Sequence, residues 1–132
     1  MLNSNLKNLV SEHFSTEDFV TEKLKGDGSE RQIYRFSSNS SELENKSVIG
    51  VHFPNQQENQ QMCYLSKALA KNIIPVPKFL QMSSDQQCYL QEDLGKNTLA
   101  DLIVDWNQKK QPEKVLIAYQ RILVWLVPIQ MI

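Results

Sequence analysis

Apolar residues in this chain recur first with a helical period. Leu2, Leu6, Leu9, Val10 and Phe14 fall on one face of an amphipathic helix of about three turns, which ends near Ser15. The period then shortens to two. Residues 19–25 alternate apolar or β-branched with polar positions and run straight into Gly26-Asp27-Gly28-Ser29, so a strand followed by a turn is expected. Residues 32–36 form a second strand. The polar run 37–41 offers nothing to pack and reads as a solvated hairpin loop. Residues 47–53 make a third strand, stopped by Pro54, which cannot donate to a ladder.

From 56 to 72 the helical period returns. Glu58, Met62, Leu65 and Leu69 are separated by four, three and four positions and share one face. Pro75 and Pro77 bias their predecessors toward extended geometry, and residues 78–82 and 87–91 flank the polar turn 83–86 as another hairpin. Antiparallel strands, five in number, with one inserted helix predict an α+β unit. Glu92-Asp93-Leu94-Gly95 leaves the last strand. Asn97 or Thr98 then caps a helix through Leu99, Leu102, Ile103 and Trp106. A final helix starts just after Pro112 and presents Val115, Tyr119, Ile122 and Leu126 on a face that needs a partner surface.

Composition narrows the function classes. A length of 132 residues with 41% apolar and 22% charged positions fits one small globular domain. Fourteen Lys and Arg against fifteen Asp and Glu leave a net charge of −1, with no basic excess to hold nucleic acid. Cys63 and Cys88, without a second pair, spell neither a zinc site nor a dithiol motif, and are expected as two buried free thiols. His13 and His52 lack metal-ligand spacing. The first residues are too polar for an export signal, so a cytoplasmic location is expected. Nine of the last eleven residues are apolar, too few to span a bilayer at roughly 20 residues per crossing, so no membrane partner is expected. Self-association through that C-terminal helix, as a dimer or a soluble aggregate, is the expectation instead.

Three segments carry candidate chemistry. Gly26 and Gly28 allow positive φ at a hairpin tip and let backbone N–H groups approach phosphate oxygens, with Ser29 adding a hydroxyl; the plain alternative is an ordinary turn. Glu58 on an apolar helical face calls for a cationic partner, or else sits in the first turn because the helix dipole favours an acid there. Glu92-Asp93-Leu94-Gly95, with two adjacent acids, reads from its residues as a strand exit whose acids are solvated.

Taken in order, residues 24–36 with their Gly-rich turn, Ile74-Pro75-Val76-Pro77, and residues 89–99 resemble the kinase-like fold of the aminoglycoside phosphotransferase and choline kinase family. Within it, the hairpin is most similar to that of bacterial kinases that phosphorylate the anomeric position of N-acetylmuramate-type amino sugars. The resemblance covers residues 19–106 and implies a small lobe over residues 1–96, with 97–132 opening a second lobe that this chain does not contain. It implies ATP as cofactor, held at Gly26, Asp27, Gly28 and Ser29 and by main-chain contacts at Glu92 and Leu94. It also implies a small-molecule acceptor, and magnesium only with the further lobe. No catalytic-loop segment is present in the 132 residues.

The sequence departs from the family pattern at one point. In kinase-like proteins the inserted helix gives a glutamate to a lysine of the third strand, but residues 48–53 here contain none, and Lys46 stands only at the strand's start. His52 is a poorer cation at neutral pH. Arg31 or Arg35 of the second strand could supply the charge, and Arg31 lies nearer the loop. The expected function is therefore the nucleotide-binding lobe of a truncated sugar phosphotransferase. A non-catalytic module that docks through its apolar C-terminal helix is the alternative, and an unrelated α+β protein a third reading.

Overall fold

A computed structural model describes residues 1–26, 28–39 and 46–132. The described residues form α1 (Ser4–Phe14), β1 (Phe19–Lys23), β2 (Gln32–Ser38), β3 (Ser47–His52), α2 (Gln56–Lys71), β4 (Phe79–Met82), β5 (Cys88–Glu92), α3 (Leu99–Gln108), α4 (Pro112–Leu123) and α5 (Leu126–Gln130). All strands join one antiparallel five-stranded sheet in the order β1-β2-β3-β5-β4. The fold is α+β, with one helix inserted between β3 and β4 and helices following the sheet.

The chain divides into two compact units, Met1–Lys67 with Val76–Asp93, and Ala68–Pro75 with Leu94–Ile132. The sheet of the first unit is covered on both faces. On one, Tyr34, Phe36, Val48, Cys88 and Leu90 pack against Leu6, Leu9, Val10 and Phe14 of α1. On the other, Ile49, Val51 and Tyr89 meet Leu24, Ile33, Phe79, Met82 and Met62 of α2. Alternate residues of a strand point to opposite faces, so β3 is buried at four successive positions because each face has its own cover. Phe36, Val48 and Leu90 are fully shut off from solvent, each contributing about 1.5–3 kcal/mol by its burial. Gly50 marks how closely α1 approaches. A Cβ built there would stand 2.5 Å from a ring carbon of Phe36 and 2.9 Å from a methyl of Leu6.

Several boundaries and faces differ from expectation. β2 continues through Ser37 and Ser38, which pair with Ser47 and Phe19, so these serines belong to the ladder; Asn39 follows the strand, and 40–41 of the predicted loop lie outside the described residues. The buried face of α2 keeps Met62, as expected, but is rotated away from Leu65. Leu65 is half exposed, and the fully buried position is Asn59, whose Nδ2 donates to the carbonyls of Phe53 (2.7 Å) and Gln86 (2.8 Å). Those two bonds clamp the helix to the end of β3 and to the β4–β5 turn. Cys88 is buried as expected, whereas Cys63 is only partly buried; both are free thiols.

In the second unit local signals suffice to place the helices. Thr98 caps α3 in a reciprocal capping box with Asp101, and Pro112 starts α4, where its missing N–H costs nothing. The last helix does not run through Leu126 unbroken. It stops at Leu123 and resumes as α5, because Pro128 has no N–H to offer the carbonyl of Val124. The end of α2 closes with Ile73 N–H on the carbonyl of Ala70 (3.0 Å) and Ile74 N–H on that of Leu69 (3.0 Å), and Ile73 sits at φ 61°. That left-handed position normally takes glycine. No helix among the described residues is long and apolar enough to cross a membrane.

Candidate functional site

The β1–β2 connection starts as a hairpin, with Leu24 N–H on the carbonyl of Ile33 at 2.9 Å. Gly28 has φ +76° with open space where a Cβ would point, so it meets the expectation of a left-handed tip residue. Gly26 does not. Its φ is not in that region, and an added Cβ would make only ordinary contact, 3.5 Å from the carbonyl of Arg31. Ser29 is exposed, and Asp27 lies outside the described residues.

Arg31 stands where this loop enters β2. Its guanidinium donates to Glu58 Oε2 at 2.8 Å, and its carbon lies 4.6 Å from the Phe53 ring centroid, within cation–π range. Glu58 is held from the other side by Asn55. Asn55 Oδ1 accepts the Glu58 N–H (3.1 Å) while its Nδ2 donates to Glu58 Oε1 (3.2 Å), a reciprocal bond pair that caps α2. Both readings of Glu58 thus describe one residue. It occupies the first turn of α2 and it pairs with a cation. The side chain of Arg31 is 26% exposed and that of Glu58 46%, so the pair contributes under about 1 kcal/mol to stability.

Beneath Arg31, Tyr89 is buried and stacked on Phe79 with centroids 5.2 Å apart. Burial pushes the Tyr89 phenol above its ordinary pKa, an effect the nearby Arg31 charge and hydrogen bond partly offset. Two buried polar atoms have no hydrogen-bond partner among the described residues, Arg31 Nε and Asn59 Oδ1. One is a donor left unused on the same guanidinium that holds Glu58, and such a group costs about 1–3 kcal/mol.

Arg35, the other candidate cation, is committed elsewhere. Its Nε and Nη2 donate to Asp93 at 2.7 and 3.2 Å, Ser47 Oγ donates to Asp93 Oδ2 at 2.6 Å, and Glu22 lies 3.7 Å from Nη1. The side chains of Arg35 and Asp93 are 10% and 5% exposed. The bond to Asp93 raises the Arg35 pKa further. Asp93 is therefore not a solvated acid at a strand exit. Glu92 pairs with Val48 and donates its N–H to Lys78 O at 2.9 Å, and no hydrogen bond or ion pair joins it to Arg31 or Glu58 among the described residues. Leu94 opens the second unit and is exposed there. His52 faces Asn3 and Gln32 at 3.4 and 3.5 Å, Lys46 is exposed at the start of β3, and among the described residues neither pairs with Glu58.

Sequence reasoning thus brought together the glycine turn, Arg31 and Glu58. It missed the lock of Arg35, Asp93 and Ser47, and the Asn55 cap. Asn55 carried a readable signal, a capping residue three before an acid. Comparison of the chain with protein-family models, with curated proteins and with solved structures finds no match in any of the three. Among the described residues, no group of three or more His, Cys, Asp or Glu is placed to hold a metal ion.

Proposed function

We propose that the first unit is the nucleotide-binding lobe of an ATP-dependent small-molecule phosphotransferase of the aminoglycoside phosphotransferase and choline kinase type, with a sugar as acceptor. The observation that carries this reading is the Arg31–Glu58 pair at the mouth of the glycine turn. It supplies the cation–glutamate couple that the lysine-free third strand lacks, from the neighbouring strand. The residues suit a triphosphate. Gly28 leaves the loop backbone open, and Arg31, part of whose side chain is exposed, carries N–H donors beyond those that Glu58 and Tyr89 use.

When bound, ATP supplies the phosphoryl group to be transferred. Arg31 neutralises phosphate charge, Glu58 orients Arg31, and Gly28 with Ser29 closes over the phosphates. The carbonyl of Glu92 meets the base, its N–H being given to the carbonyl of Lys78.

A second reading, a non-catalytic module that docks through its C-terminal helices, is favoured by the exposed apolar side chains of α4 and α5. Titration with a fluorescent ATP analogue separates the two. Saturable binding by the wild-type chain, weakened about tenfold or more in Arg31→Ala and less in Glu58→Gln, is the result expected of the nucleotide lobe. A folded wild-type chain that shows no saturable binding favours the docking module.

A further inference from the structure

Buried ion pairs contribute less to stability than apolar side chains of the same volume, so their use calls for a geometric reason. The pair here joins four elements of the first unit. Arg35 lies on β2, Glu22 opposite it on β1, Ser47 at the start of β3, and Asp93 directly after the last residue of β5. Strand ends ordinarily fray, because their last backbone groups have partners on one side only. At this end the fraying is blocked. Glu92 is held by the β3 ladder and by the carbonyl of Lys78, and the next residue is fixed by a two-pronged guanidinium and a serine hydroxyl.

We infer that Arg35, Asp93 and Ser47 are positioning residues, a lock that presents the carbonyl of Glu92, whose N–H is given to Lys78, in a fixed attitude for recognition of a nucleotide base. The inference rests on the nucleotide reading above and assigns to the second-strand arginines separate tasks. Arg31 meets phosphate; Arg35 never does, because its Nε and Nη2 are turned onto Asp93. Loss of the lock therefore harms base binding and leaves phosphate binding intact.

The test uses the 132-residue chain, with ATP and inorganic tripolyphosphate as ligands and amide hydrogen exchange as the structural readout. Asp93→Asn keeps the shape of the side chain and removes its charge. It is expected to weaken ATP by about tenfold, to leave tripolyphosphate affinity unchanged, and to speed exchange at Glu92 and Asp93 without altering Phe36 or Val48. Arg35→Lys, which keeps the charge but not the two-pronged bond, should fall between wild type and Asp93→Asn. It serves as the measured variant if Asp93→Asn does not fold.

Equal losses for ATP and tripolyphosphate, or faster exchange throughout β2 and β3, would reduce the lock to general stability and overturn the inference. Unchanged ATP affinity in both variants, with a wild type that binds, overturns the lock and spares the nucleotide reading. A wild type that binds neither ligand overturns both.

Discussion

In the first unit Leu6, Val10, Phe36, Val48 and Leu90 are wholly removed from water, whereas among the described residues none of α3, α4 or α5 in the second unit is buried. The difference lies in what makes each set of elements form. The strands have little local preference of their own and exist because α1 and α2 cover both faces of the sheet. The helices of the second unit are written locally, in a capping box, a proline at the start of α4 and an i,i+4 pair of Asp105 with Lys109. They form with their apolar side only partly covered. Leu116, Ile117, Leu123 and Val127 remain 47–62% exposed. Local signals thus fix where a helix begins, while burial decides how much stability it contributes.

The largest test of this contrast compares two truncations. Phe36→Ala should cost about 3–5 kcal/mol in urea unfolding, because it empties a site at 0% exposure. Leu116→Ala, at 60% exposure, should cost under about 0.5 kcal/mol. Equal costs would erase the distinction between the units.

A smaller effect, of opposite sign, is expected in the second unit. Ile73 is a β-branched residue at φ 61° and 82% exposed, so Ile73→Gly should raise stability by roughly 1 kcal/mol in a thermal melt. A lower melting temperature would mean that the isoleucine side chain contributes more than its conformation costs.

The effect that is smallest at neutral pH, and grows only in the alkaline range, concerns the two thiols. Burial pushes Cys88 from its ordinary 9.0 up to about 11. Between those values the unfolded thiol ionises and the folded one does not, so the unfolded state holds fewer protons and stability falls as pH rises. Cys88→Ala should flatten the alkaline limb of a pH–stability curve. In the native chain, partly buried Cys63 should react with a thiol reagent ahead of Cys88.

Legibility in the sequence followed the same division. Hairpins, the strand-to-helix switch, the cap of α3 and the proline that starts α4 were visible, since turn residues, periodicity and helix-start residues act over a few positions. The rotation of α2 was not. Hydrophobic spacing placed Leu65 inward, but two hydrogen bonds from Asn59 to the carbonyls of Phe53 and Gln86 turn a polar residue to the interior, and no hydropathy pattern encodes that. Arg31 and Glu58, 27 positions apart, could be matched because a family resemblance put both at the mouth of one loop. Arg35 and Asp93 are 58 apart, and the sequence left Asp93 as a plain strand-exit acid; only the register of β2, β3 and β5 brings them together. Likewise, that β3 lies beside β5 rather than β4 depends on tertiary pairing that periodicity does not specify.

The central claim is that the glycine turn, Arg31 and Glu92 meet a nucleotide. Amide hydrogen exchange of the chain with and without saturating ATP tests it most directly. The account predicts slower exchange at Gly28, Ser29, Arg31 and Glu92, with α3 to α5 unchanged. Protection confined to α3 to α5, or no change anywhere in a folded chain, would contradict it.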